Sequence, residues 1–577
     1  MRDGLFLRSG AVVLAGAIVL GCAGGSAGDD GADGADGGDG GGGAGGGSDG
    51  GGGVPAGPKL IPGPGEDGFD GALEDKARAY DRQFHTFSAP WGLSLDALIP
   101  GQHDRELVAG FLAQHETDDF AEYAGKSPLA VVQVFDEHGD LGMFGGAAAA
   151  GEAFRYMALQ DDASRADLLA AIHAFHIAAT ITGVPGTVAR GIRRIDEPGE
   201  MPAVEPPPGS CPDAGDRSDR WRPDGSGDYP DWIYNDNNSK DQMIGYVFAL
   251  GAFWDAVAED PAVDDAVREQ IQADARALAR SLMEPVQVNP LQSADLVIRD
   301  WHQCPTRHLD LNPRVVPVGG QPPIVLSAGA SNQNGWNALA ALGVVRTLYH
   351  ITGDAELGDY YYDELIGRRD FPRLMVSGPV HVGAMYQDGG AGGDTNFSNV
   401  NMAFVSAWGL LRYESDPDLR EKFHAVFASE LWDADHPHDG ESIGQAYFDL
   451  LRSGLAGDDP AVTAGAAAQL GEFVTPPYFD YAVENCDAGE LAAGSCVAID
   501  GSTEITLVEA GSDKSRTPLP KRLRPPSNFE WRSDPRSVNG GGGVRLDPGG
   551  DFRSAYWMGR ILLATPDPDG NLSPRAR

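Results

Sequence analysis

The stretch Asn235-Asp236-Asn237-Asn238-Ser239-Lys240-Asp241 contains no apolar side chain, and Gln242 extends it. Three comparable clusters occur further along the chain. Asn332, Asn334, Trp336 and Asn337 form one, Asp394, Asn396, Asn399 and Asn401 the next, and Glu441 with Gln445 the last. Amides can bridge pairs of hydroxyls, carboxylates can hold or accept a proton, and aromatic rings can stack on sugar faces. Together these groups suit a polyhydroxylated ligand. Hydrolysis of a glycosidic bond needs one carboxylic acid to protonate the leaving oxygen and one carboxylate to activate water. Asp241 and Asp236 are the first candidates, with Glu441 and Asp394 as second partners. Tyr234, Asn237, Gln242, Asn332, Asn334, Trp336, Asn399, Asn401 and Trp531 are the candidate substrate-binding residues, and Trp232 and Trp301 are further stacking faces. A lyase would instead use Tyr or His as base beside a charge-neutralising Asn or Arg, for which Tyr234, His302 and Asn332 are available.

Asn, Asp and Ser are also the preferred helix N-caps, so one polar start carries little functional information. Several amides at each of three consecutive starts exceed what capping requires. Each cluster leads into a segment of helical periodicity. Met243 to Leu250 is apolar nearly all round, as expected of a helix surrounded by other helices. Paired segments repeat along the chain: Gly146–Gln160 with Ser164–Ile181, Asp241–Ala258 with Ala266–Met283, and Gly335–Thr352 with Gly358–Ile366. Ser398–Tyr413 with Leu419–Trp432 and Glu441–Leu455 with Ala461–Phe473 continue the series. In each pair an apolar, small-residue-rich helix leads through a polar turn into a more amphipathic one. Gly71–Phe84 and Phe552–Leu563 lack partners, and pairing them gives six hairpins. The expected fold is all-α, an (α/α)6 toroid. Residues 184–234, 285–334 and 474–551 are expected to be long irregular loops with a few short strands. The inner starts would present free N–H groups and positive dipole ends around one cavity.

The N-terminus sets a different expectation. Ala11–Leu20 is an apolar run of ten residues, too short for a span of roughly 20, and it reads as a secretory signal. Its end, Val19-Leu20-Gly21-Cys22, is similar to the bacterial lipobox, which implies acylation of Cys22. Ala23 after the cysteine favours delivery to the outer membrane. Residues 27–53 contain only Gly, Ala, Asp and Ser and read as a disordered tether. The expected domains are therefore 1–21 signal peptide, 22–67 tether and 68–577 toroid.

The formal charge is −42, of which six negatives lie in the tether. Such a surface repels nucleic acid and disfavours strongly anionic polysaccharides unless a local basic patch receives them. The expected partners are the lipid bilayer, through Cys22, and a polysaccharide or oligosaccharide. Cys211, Cys304, Cys486 and Cys496 form an even set in an oxidising compartment, so two disulfides are expected, with Cys486–Cys496 closing a short loop. A rival metal reading exists at His302, Cys304 and His308. No cofactor is expected. Calcium at Asp236 and Asp241 is the alternative, but their spacing lacks the alternation of a calcium loop. His173 and His176 read as packing or surface histidines, and the run Asp435 to Asp439 as a solvated loop. No phosphate-cradling glycine motif and no Gly-x-Ser-x-Gly elbow occurs.

The stretches VPGTVARGIRR (184–194), SKDQMIGYVFAL (239–250), NALAALGVVRTLYHITGDAEL (337–357), RPPSNFEWRSDPR (524–536) and AYWMGR (555–560) resemble a family of exported bacterial α/α-toroid proteins without a settled activity. The family pattern Ser-Asp-Gln-x-x-Gly-Tyr matches at Ser239, Asp241, Gln242, Gly245 and Tyr246, with Lys240 inserted. Its acidic pair before the fourth inner helix is replaced here by Asn399 and Asn401. More distantly, the chain resembles toroid glycosidases, unsaturated-glucuronyl hydrolases and polysaccharide lyases, and fold alone does not transfer chemistry. The resemblance implies a membrane-tethered, carbohydrate-active domain acting as hydrolase or lyase. The alternative is a non-catalytic surface lipoprotein that binds glycan or cell-wall fragments, or an interaction scaffold.

Overall fold

Small residues let the helices of this protein approach until their backbones touch. The computed structural model describes residues 58–206, 220–318, 321–384, 397–433, 439–457, 459–526 and 534–564. All of these belong to one unit, Ala56–Arg577. Cys22, the expected signal and most of the tether, Cys211, Asp394, Asn396, residues 434–438 and Trp531 lie outside the described residues.

The helices are α1 (Gly71–Gln83), α2 (Gln102–Ala113), α3 (Phe120–Ala124), α4 (Phe144–Leu159), α5 (Asp162–Thr180), α6 (Lys240–Val257), α7 (Asp265–Met283) and α8 (Gly335–Thr352). They continue with α9 (Ala355–Asp359), α10 (Phe371–Val376), α11 (Ser398–Tyr413), α12 (Pro417–Phe427), α13 (Gly440–Ile443), α14 (Ala446–Leu451), α15 (Pro460–Glu472), α16 (Ala488–Ala493) and α17 (Gly550–Ile561). The described chain is mostly helical, as its periodicity predicts. Three second helices are less regular than expected: α1, α9 and α12 each run on into a wider π-type turn. The segment expected as Glu441–Leu455 is broken at Gly444, whose φ of 61° ends α13. α2, α3, α10 and α16 have no counterpart in the expected pairs, and α16 lies within the expected loop 474–551.

The apolar helices pack side by side. A Cβ on Gly146 would lie 2.3 Å from the Gly245 carbonyl oxygen, and one on Gly245 would lie 2.2 Å from that of Gly142. α4 and α6 therefore meet main chain to main chain. Gly343 of α8 does the same against Ser406 of α11, where a Cβ would stand 2.4 Å from the carbonyl oxygen. Phe154, Phe248, Trp408 and Tyr447, from α4, α6, α11 and α14, fill the middle of this group with centroid separations of 5.3 to 6.4 Å. Among the described residues no helix is long and apolar enough to cross a membrane.

The first and last helices join through a buried ionic network. Arg553 of α17, with 0 % exposure, bonds to Asp81 of α1 at 2.8 Å and to Glu152 of α4. Arg155 bonds to Asp81 at 3.1 Å and Asp167 at 2.8 Å. His85 Nε2 lies 3.1 Å from Glu152 and 3.4 Å from Asp167. Three carboxylates thus face two guanidiniums and an imidazole. Arg553 and His85 beside it hold Glu152 well below the usual carboxylate range, against the cost of its burial.

The connections between helices carry short antiparallel strands. β1 (Asp96–Leu98) pairs with β2 (Val134–Asp136). β3 (Gly191–Arg194) and β4 (Trp221–Pro223) flank β5 (Trp232–Asn235), with Ile192 and Arg222 both opposite Tyr234. β6 (Val286–Asn289) and β7 (Gln292–Ala294) form a hairpin, and β8 (Val297–Arg299) pairs with β9 (Pro305–Asp310). The expected Cys486–Cys496 disulfide is present, and Cys304 is also disulfide-bonded.

Candidate functional site

The starts of four successive apolar helices are adjacent and point the same way. Gln242 in the first turn of α6 donates to Asp140, just before α4, at 3.0 Å and accepts from the Met143 N–H at 2.8 Å. Lys240 Nζ donates to Asn337 Oδ1 in the first turn of α8 at 3.2 Å. Trp336 Nε1 donates to the carbonyl of Asn399, in the first turn of α11, at 2.9 Å. These contacts link Gln242, Trp336, Asn337 and Asn399 of the predicted polar starts, and none of them reaches Glu441 or Gln445.

Their individual roles differ. Asn334 is a true N-cap, accepting from the Asn337 N–H at 3.0 Å. Ser239 is not: its hydroxyl donates to Asp241 and accepts from Arg190 at 3.0 Å. The three-stranded sheet delivers Tyr234, Asn235 and Asp236 to the start of α6. Asp236 is buried and accepts from Arg222 Nε and the Arg220 N–H, each at 2.8 Å. Burial nevertheless raises its carboxyl above the ordinary range, opposed by Arg222. Burial likewise raises the Tyr234 phenol. Asn237 takes a left-handed conformation, φ 62°, and is buried with Asn401. Gln242 is a buried strut between helices. Trp336 is 1 % exposed, with its ring 4.8 Å from Lys240 Nζ, so it serves as a wall rather than an open stacking face.

Asp241 and Lys240 are half-buried at this rim, and Asn399 is half-buried beside them. Glu441 and Asn332 are exposed, and Gln445 is buried. Sequence reasoning passed over Asp310. This residue ends β9, is buried, and interacts electrostatically with Lys240. Burial pushes its carboxyl up to about 7, while Lys240 pulls it down. A lone Asp at the end of a loop strand gives no local signal. Lys240, read as an insertion, was the available clue, because a half-buried ammonium demands an acceptor.

Asp300, His302 and Cys304 have ligand atoms within 4.8 Å of one another, but the sulfur of Cys304 belongs to a disulfide and offers no thiolate. His85, Glu152 and Asp167 also lie within 4.8 Å, with both carboxylates taken by arginines as described above. His176 bonds to Asp274 between α5 and α7 at 2.8 Å, a packing role as expected.

No family model matches the chain, and no curated protein matches it. Among solved structures, a sugar epimerase from a ruminal bacterium aligns over 84 % of this chain and 97 % of its own, with 8 % identity and a TM-score of 0.34.

Proposed function

We propose that this chain is an exported lipoprotein, anchored through acylated Cys22, whose domain is an (α/α)6 toroid acting on a polysaccharide or oligosaccharide at the polar rim of α4, α6, α8 and α11. The carrying observation is that two carboxyl groups sit near Lys240 in opposite environments, Asp241 half-exposed and Asp310 buried with its proton held to about 7. Divergent environments are how one site obtains an acid and a base. In this reading Asp310 protonates the leaving oxygen, Asp241 takes the proton of the attacking water, and Lys240, held by the buried Asn337, orients a ligand hydroxyl. The side-by-side starts and the hairpin pairs α4–α5 and α6–α7 support the toroid.

A second reading is a glycan-binding protein without catalysis. The amides of Asn399 and Asn401, where the resemblance would place an acidic pair, favour it. Purified protein screened against neutral and acidic polysaccharides separates the two. Release of products that is lost in Asp241→Asn supports catalysis; binding without release transfers the weight to the second reading. Neither outcome with any glycan removes both.

A further inference from the structure

A pocket of about 370 Å³ lies outside the rim site, bounded by Ala273, Arg276, Ala277, Arg280 and Ser281 of α7 together with Pro185, Glu284, Arg299 and Gln303. The α7 positions recur at helical spacing and form the face opposite its buried residues Ile271, Ala275, Leu278 and Leu282. Ala273, Ala277 and Ser281 leave room, and the arginines between them supply charge. The loop before β3 closes one wall: a Cβ on Gly186, φ 77°, would lie 2.4 Å from the Ala277 carbonyl oxygen.

Three guanidiniums and one carboxylate line this pocket, in a chain of net charge −42. Arg299 is 7 % exposed and held rigidly. Its Nη2 donates to the carbonyl of Ser281 at 2.9 Å and to that of Glu284, and its Nη1 to Glu284 Oε2 at 3.0 Å and Gln303 at 3.1 Å. These bonds consume α7 C-terminal carbonyls, whose partial negative charge would otherwise oppose an anion. Gln303 is fixed in turn by Thr187 Oγ1 at 2.9 Å. Arg276 spends two nitrogens, Nε on Asp354 at 3.3 Å and Nη2 on Gln272 at 3.4 Å. Arg280 is exposed and has no ion pair among the described residues. Arg299 spends its four terminal N–H bonds within the protein, so the exposed Arg280 guanidinium is the group suited to a carboxylate or sulfate, which accepts two parallel N–H bonds.

We propose that this pocket binds the acid group of an anionic saccharide, a hexuronate or sulfated sugar. A volume near the low end of the roughly 300–1,000 Å³ typical of ligand pockets fits one sugar ring. It is the basic patch that an acidic protein needs in order to hold an acidic glycan, and it does not depend on catalysis at the rim. The test is calorimetric titration of the purified full-length protein with D-galacturonate, D-galactose and inorganic sulfate. Galacturonate is expected to bind below about 1 mM, with galactose at least tenfold weaker. Arg280→Glu, an exposed change that spares the packing, is expected to weaken galacturonate at least about tenfold, and Arg276→Gln to weaken it less. Galacturonate binding unchanged in Arg280→Glu overturns the proposal, as does its absence at about 10 mM. Sulfate binding as tightly as galacturonate marks a site for inorganic anions and overturns the saccharide assignment.

Discussion

Lys240 Nζ lies 3.2 Å from Asn337 Oδ1, joining the first turns of two consecutive apolar helices. A lysine at the positive end of α6 works against the helix dipole, so its place is set by acceptors outside its own helix. Asn337 and the Trp336 ring supply them, and Asp310 adds a longer-range attraction. Lys240→Met removes the cation that lowers the Asp310 carboxyl. Its titration, followed by carboxyl NMR, is expected to move upward. A downward or absent shift would place Lys240 elsewhere.

Asp310 also makes stability depend on pH. Its folded value, about 7, lies above the unfolded carboxyl value of about 3.9. The folded state therefore binds the extra proton, and the contribution of this group falls as pH rises from about 4 to about 7. Asp310→Asn lacks that loss. Its unfolding free energy relative to the parent is expected to rise between pH 5 and pH 8, by at most about 3 kcal/mol. Urea denaturation at the two pH values measures it, and a difference independent of pH would refute it.

Arg553 carries the charge balance between the ends of the chain. Arg553→Met leaves three buried or half-buried carboxylates, Asp81, Glu152 and Asp167, to Arg155 and His85 alone. A loss of about 3–5 kcal/mol is expected in denaturant unfolding, far beyond a surface ion pair.

The contact between α4 and α6 tolerates no side chain at Gly245, where a Cβ would meet the Gly142 and Met143 carbonyls at 2.2 and 2.7 Å. Gly245→Ala is expected to cost about 1–3 kcal/mol despite the higher helix propensity of alanine. Because Gln242 and Asp241 lie in the preceding turn, glycan affinity is expected to fall with stability. A variant as stable as the parent would show that the helices can part freely.

The pairing of helices was legible because apolar periodicity and polar turns are local. α4 with α5 and α6 with α7 appear within a few residues of their expected bounds. The break at Gly444 and the π-type turns were not legible, since each depends on what the helix packs against. Among site residues, the clustering of Asn, Asp and Ser predicted where the polar starts lie. It did not predict that Gln242 is a strut, Asn334 a cap and Trp336 a wall.

By itself the amino-acid order determined that apolar helices begin with clustered hydrophilic side chains, and that four cysteines lie downstream of the apolar run Ala11–Leu20 and of Cys22. Both are properties of short segments, governed by hydrophobic spacing and composition. Only the tertiary structure decided that Asp310, about seventy residues downstream of Lys240, becomes its buried acidic neighbour, and that Asp236 is committed to Arg222. Burial and charge pairing between distant segments control proton affinity, and no local pattern in a chain encodes them.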